Sequence, residues 1–404
     1  MKRKLLSIAA AAACAFGGAA QAQISDGLVK IGVLNDMSGL YSDITGQGSV
    51  LAARMAVEDY IKATGSKLKV EVVGADHQNK PDVGSNIARQ WYDTDKVDMI
   101  ADVPTSSVGL AIAQISREKG KLHVNSGSAT ADLSGKACNA NTIHWVYDTW
   151  MLANGTGKAI VKNGGNTWFF LTADYAFGHA LERDTEAVVT GNGGRVVGKV
   201  RTPFPTQDFS SFLLQAQASK AKIIGLANAG GDTTNSIKQA AEFGITRGGQ
   251  NLAGLLVFLP DVHSLGLNIA QGLMLTETFY WDLNDQTRAW SRRFASANNG
   301  KMPSMVHAGV YSSVLHYLKA VEAAKTDDGT KVAAKMKELP TDDPLFGKGS
   351  VRADGRKIHP AYLFEVKKPG ESKGPYDYYK LVATIPANEA FRPLSESDCP
   401  LVKK

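Results

Sequence analysis

Cysteine is scarce in this chain. There are three, and one of them, Cys14, lies within the first 22 residues. The remaining pair, Cys138 and Cys399, is an even number, and in an oxidising compartment it predicts one disulfide tying the C-terminal tail to the first half. Histidine is spread thin as well. The eight histidines stand apart, and neither HExxH nor CxxC occurs, so a metal site of ordinary spacing is not expected. Past the N-terminus no apolar run is long enough for a membrane helix. The basic residues are scattered. A pI near 9.0 therefore gives little reason to expect a nucleic-acid partner.

The first 22 residues read as an export signal. Lys2, Arg3 and Lys4 open it, Leu5 to Phe16 is a short Ala-rich apolar run, and Ala20-Gln21-Ala22 has the small-x-small cleavage pattern. Cys14 is not read as a lipoprotein site, because Ala11 stands where that signal has Leu. Cleavage leaves 382 residues (404 minus 22) and lowers the formal charge from +6 to +3. That length favours two domains or more, in an exported chain.

Phosphate and nucleophile motifs fail on inspection. "TGQGSVL" stands about ten residues beyond its strand and has Leu51 in the third glycine's place. "GTGKA" lacks the first P-loop glycine and has Ala159 where Ser or Thr binds magnesium. "SGSAT" puts Thr130 where a nucleophile elbow needs glycine, and no His and acid accompany Ser128. No cofactor and no catalytic residue is expected, so the chain is read as a binder and not an enzyme.

What is present is alternation. "VKIGVLN", "KLKVEVVGA", "VDMIADV" and "KLHVNS" read as strands separated by helical runs, which predicts a parallel sheet covered on both faces. The pattern restarts with "NTWFFLTAD", "GGRVVGKVR", "AKIIGLANA" and "NLAGLLVF". Two further helices, 287–298 and 304–324, and strands near 361–366 and 378–383 are expected to add elements to both sheets. The fold class is α/β. Such sheets bind ligands beyond the carboxyl ends of their strands.

Two post-strand loops are rich in hydroxyls. "PTSSVGL" carries Ser106 and Ser107, and "NSGSAT" carries Ser128 and Thr130. Short hydroxyls and free amides at helix starts suit a carboxylate. Taken alone, "TSS" is equally an ordinary N-cap. Aromatics stand in other loops after strands: Tyr41, Tyr175, Phe177, Tyr280 and Trp281. As a set they suit walls around an apolar ligand body.

Five segments together resemble the leucine/isoleucine/valine-binding branch of the type I periplasmic binding proteins, the solute-binding components of ABC importers. They are "VKIGVLNDMSGLYSDITGQGSVLAARMAVEDYI", "VPTSSVGLAIAQISREKGKLHVNSGSATADL", "TADYAFGHALERD", "TQDFSSFLLQAQASKAKIIGLANAGGDTTNSIKQAAEFG" and "YSSVLHYLKAVEAA". The resemblance covers residues 28–385. It implies two Rossmann-like lobes with parallel sheets joined by a three-crossing hinge, closing on a small solute. It also implies delivery to a membrane permease by a monomer.

Lobe 1 is then 28–147 plus about 280–352, lobe 2 is 148–279 plus about 355–385, and 386–404 is a C-terminal tail. By the resemblance, Ser106 or Ser107, with Ser128 and Thr130, meets the ligand carboxylate. Phe177 and Tyr311 take aromatic wall positions. The family's amino-acid binders place a Glu after a second-lobe strand to hold the ligand's ammonium. Here the stretch is "GLLVFLPD", with no acid before Asp261, and the nearest other polar loop runs from Asn228 to Asp232. A buried ammonium without a carboxylate is costly. A carboxylate ligand without an α-amino group, of benzoate or phenylpropenoid type, is the first expectation. A branched-chain or other apolar amino acid, with Asp232 on its ammonium, is the second. A sensory ligand-binding module or an exported enzyme comes behind both.

Overall fold

A computed structural model describes residues 24–403, so the export signal expected over 1–22 lies outside the described residues. The chain begins β1 (Val29–Asn35), α1 (Gly46–Thr64), β2 (Val70–Asp76), α2 (Pro81–Asp93), β3 (Met99–Asp102), α3 (Ser106–Lys119), β4 (Leu122–Asn125) and β5 (Thr142–His144). These strands form one parallel sheet in the order β2-β1-β3-β4-β5. β5 was not expected, because three residues are too few to show a period.

The chain then crosses to a second sheet through α4 (Thr149–Leu152), a π-turn (Ala153–Gly157) and α5 (Lys158–Lys162). There follow β6 (Thr167–Ala173), α6 (Ala176–Gly191), β7 (Arg195–Thr202), α7 (Ser210–Ala218), β8 (Ile223–Ala227), α8 (Gly231–Glu242) and β9 (Asn251–Gly254). The order is β7-β6-β8-β9, again parallel. Residues of β6 and β8 are buried on both faces, and their sequences "TWFFLTA" and "IIGLA" are nearly all apolar. β7 lies at the edge and alternates exposed with half-buried positions along "RVVGKVRT".

After α9 (Leu259–Leu265), α10 (Leu267–Ala270) and β10 (Met274–Glu277), the chain forms α11 (Asp285–Ala297), α12 (Met305–Ala324) and α13 (Gly329–Glu338). α12 is buried along nearly its whole length and packs against α1 of the first lobe. Ser304 caps it, accepting from the Val306 and His307 amides and donating to the Ile44 carbonyl at 2.7 Å. That bond ties the β1–α1 turn to α12.

The remaining strands are β11 (Thr341–Asp343), β12 (Gly347–Val351), β13 (Lys357–Ile358), β14 (Ala361–Val366) and β15 (Tyr379–Ile385), with a short α14 (Ala387–Ala390). The sequence reading adds this region to both parallel sheets, whereas among the described residues its strands form sheets of their own and a lone parallel bridge, His144 to Arg356, joins it to β5. β14 and β15 pair antiparallel with β10, and β11 to β13 form their own small antiparallel sheet. Alternating apolar residues identify a strand but not its partner, which is fixed by contacts distant in sequence. Cys138 and Cys399 form a disulfide with Cα atoms 5.5 Å apart. Among the described residues no helix is long and apolar enough to cross a membrane.

Candidate functional site

The carboxyl ends of the two parallel sheets face each other, and a cavity with an empty volume of about 240 Å³ lies between them. Tyr41, Ile44, Pro104, Gly127 and Ala129 line it from the first lobe. Tyr175, Phe177, Ala229, Leu256 and Phe258 line it from the second, and Tyr147 from the crossing. Side chains fill most of the gap, so a ligand requires them to part. A wider, open hollow beside Lys222, Ile223 and Asn251 lies at the amino ends of β8 and β9. Ligands of open α/β sheets sit at the other end, so the smaller cavity is the candidate.

Each wall is held by local chemistry. Asp36 follows β1, and its carboxylate accepts from the amides of Gly39 at 2.7 Å and Tyr41 at 2.9 Å, which fixes the turn that presents Tyr41. The Tyr41 and Tyr175 hydroxyls meet across the cleft at 2.5 Å. Beside them the Gly231 amide donates to the Leu40 carbonyl at 3.3 Å. Tyr147 donates to the Gly127 carbonyl at 2.6 Å and packs edge-on against Phe258 at 5.9 Å. Burial raises the Tyr41, Tyr147 and Tyr175 hydroxyls well above the ordinary tyrosine range, so all three stay protonated.

The hydroxyl loops do adjoin, but most of their hydroxyls face protein. Ser128 is buried and donates to the Val103 carbonyl, which fastens the "NSGSAT" loop to the β3–α3 loop. Ser106 accepts from the Thr130 amide at 3.2 Å, and Thr130 caps the next turn by accepting from the Asp132 amide at 3.4 Å. Asn125 brackets Ser128 from both sides, with bonds of 2.8 and 3.1 Å. Several donors of these loops are left over among the described residues, the buried Ser126 hydroxyl among them. The Ala129 amide and the half-buried Ser107 hydroxyl make no hydrogen bond. Thr105, the N-cap of α3, gives its hydroxyl to Asn79 and leaves the first amides of α3 uncapped. α6 also starts without a side-chain cap, directly after Tyr175. Uncapped helix starts carry partial positive charge toward the cleft.

Several sequence candidates stand apart from the cavity. Asn228 spends its amide on Ser236 and Thr233 within its own turn. Tyr280 and Trp281 both donate to the Tyr376 carbonyl at 2.8 Å and serve the 374–378 turn. Tyr311 donates to Asp59 at 2.8 Å, between α12 and α1. Asp232 accepts from the Thr206 amide at 3.1 Å through Oδ1, while its buried Oδ2 has no partner among the described residues. Burial pushes its carboxyl up to about 7.

Sequence reasoning missed Tyr147, Phe258 and the buried acids Asp102 and Glu277. Burial pushes Asp102 up to about 7 and Glu277, which accepts from the Tyr379 hydroxyl at 2.9 Å, up to about 8. Phe258 stood in the very stretch searched for an acid. Asp261 follows it and caps α9 by accepting from the Phe258 amide at 2.9 Å, so the acid turns inward and the ring faces the cavity.

A cleft between two parallel sheets has known relatives. The model of a family described as periplasmic binding protein matches residues 28–374. The chain belongs to the periplasmic binding protein family. A crystal structure of a periplasmic binding protein from Burkholderia mallei is 52% identical, with a TM-score of 0.90 over 94% of this chain and 100% of that one. A branched chain amino acid ABC transporter periplasmic ligand-binding protein from Burkholderia xenovorans is 42% identical, with a TM-score of 0.82 over 93% of this chain and 100% of that one. A solute binding protein of an ABC transporter from R. palustris, solved in complex with benzoate, is 21% identical over 93% of this chain and 100% of that one, with a TM-score of 0.78. That last likeness is of fold alone. This periplasmic binding protein has the two parallel sheets of its relatives, and its cleft lies at their carboxyl ends.

Proposed function

We propose that this protein captures a small carboxylic acid with a flat, apolar body in the periplasm and hands it to the permease of an ABC importer. Benzoate and phenylpropenoid acids are the class. The observation that carries this is the cavity wall: Tyr41, Tyr147, Tyr175, Phe177 and Phe258 line it, and no charged side chain does. The carboxylate then meets the Ala129 amide, the Ser107 hydroxyl and the uncapped start of α3. Ser106, Ser128 and Thr130 hold those donors in place.

The lobes divide as 28–147 plus about 280–352 and 148–279 plus about 355–385. The second lobe closes over the ring, and the ligand stabilises the closed state by touching both lobes.

An apolar amino acid is the second reading, and the unpartnered Oδ2 of Asp232 favours it. A thermal-shift screen with benzoate, cinnamate, leucine and isoleucine separates the two. Stabilisation by the aromatic acids alone supports the first. Stabilisation by leucine or isoleucine alone rejects it.

A further inference from the structure

Phe204 was not among the sequence candidates and does not line the cavity. It stands in the turn between β7 and α7, and its ring covers one face of Tyr175 with centroids 4.0 Å apart and planes 22° apart. It also stacks across the cleft on Tyr41, at 6.1 Å and 27°. The two tyrosines that meet at 2.5 Å over the cavity therefore share one aromatic backing. The turn that carries Phe204 is pinned at Thr206. The Thr206 hydroxyl donates to the Pro203 carbonyl, and its amide donates to Asp232 at 3.1 Å. Asp232 sits in the first turn of α8, directly after Gly230 and Gly231, and Gly230 lies against the Tyr41 ring.

We infer that Asp232 is a positioning residue that acts through Phe204: it anchors the 203–206 turn, and Phe204 in turn sets the Tyr41–Tyr175 pair that closes over the ligand. This rests on the cleft reading above and assigns Asp232 no contact with the ligand. Oδ1 accepts one amide proton, so a neutral Asn in its place can accept the same bond. A residue holding an ammonium would behave otherwise, because there the charge itself is required.

The test uses the whole mature protein and Asp232→Asn, Asp232→Ala, Phe204→Leu and the Asp232→Ala/Phe204→Leu pair. Calorimetric titration uses benzoate, or leucine if the wild type takes leucine instead. We expect Asp232→Ala and Phe204→Leu each to weaken binding by about tenfold, the scale of a lost aromatic contact, with Asp232→Asn near wild type. We expect the double variant to be no worse than the weaker single, since residues acting through one another do not add. Asp232→Asn as damaging as Asp232→Ala overturns the inference, and so does an unchanged Phe204→Leu.

A second readout needs no ligand. Near-ultraviolet circular dichroism of the free protein should lose tyrosine signal in Asp232→Ala but not in Asp232→Asn, since an anchored turn keeps the Phe204 ring stacked on Tyr41 and Tyr175. No such difference overturns the inference. A wild type that binds neither probe rejects the proposed function instead, and leaves this spectrum to decide the role of Asp232.

Discussion

Ser128 donates its hydroxyl to the Val103 carbonyl, so its job is to join two loops. The sequence reading puts Ser128 on a ligand carboxylate, whereas its partner in the structure is a backbone oxygen 25 residues away that no local pattern announces. Ser128→Ala leaves that buried carbonyl unpaired. We expect a loss of about 1–2 kcal/mol in urea unfolding, with weaker ligand binding as a secondary effect of a looser Ala129 amide. Unchanged stability would contradict this role. Glu277 gives a test of pH. Burial holds its carboxyl up to about 8, against an ordinary 4.5. An acid that keeps its proton in the fold contributes stability in full below its unfolded value and loses it as the pH rises through its folded value. Glu277→Gln keeps an acceptor for Tyr379 and cannot ionise. Relative to wild type it should therefore gain in melting temperature between about pH 5 and pH 8. A gap that stays flat over that range would show that Glu277 is not a buried, protonated acid.

The elements that sequence periodicity made legible are those with long apolar runs: β1, β6, α6 and α12 follow directly from "VKIGVLN", "TWFFLTA" and their helical neighbours. β5 and the pairing of β14 and β15 with β10 did not, because a three-residue strand has no period and a strand's partner is not written in its own residues. The cleft has the same limit. Tyr147 reaches it because the chain crosses between lobes there, and Phe258 because Asp261 turns back to cap α9. At this scale the junction of the β1–α1 and β8–α8 turns is the sensitive one. Gly230 has φ of +56°, and a Cβ there would lie 2.5 Å from the Leu40 carbonyl of the other lobe. Gly230→Ala should hold the lobes apart and weaken ligand binding by tenfold or more, the cost of a left-handed alanine and a backbone clash. Equal affinity would mean that these turns need not meet for the ligand to be held.

In the whole molecule, both lobes and the tail are tied together around the crossings. Arg183 of α6 pairs with Asp132 of the first lobe at 3.2 Å, and Arg392 of the tail reaches Asp184 at 3.5 Å. The disulfide closes a loop of 261 residues between the first lobe and the tail. A Cys138→Ser/Cys399→Ser variant should lose about 2–5 kcal/mol, seen as a lower melting temperature that reductant no longer alters. A melting temperature equal to that of the oxidised wild type would contradict a stabilising link. The central claim is that the cleft stops a carboxylate with a flat apolar body. Calorimetric titration of the refolded, ligand-stripped protein with benzoate and with leucine tests it most directly. We predict saturable one-to-one binding of the aromatic acid and no heat with leucine, whereas saturable binding of leucine with none of the aromatic acid would contradict it.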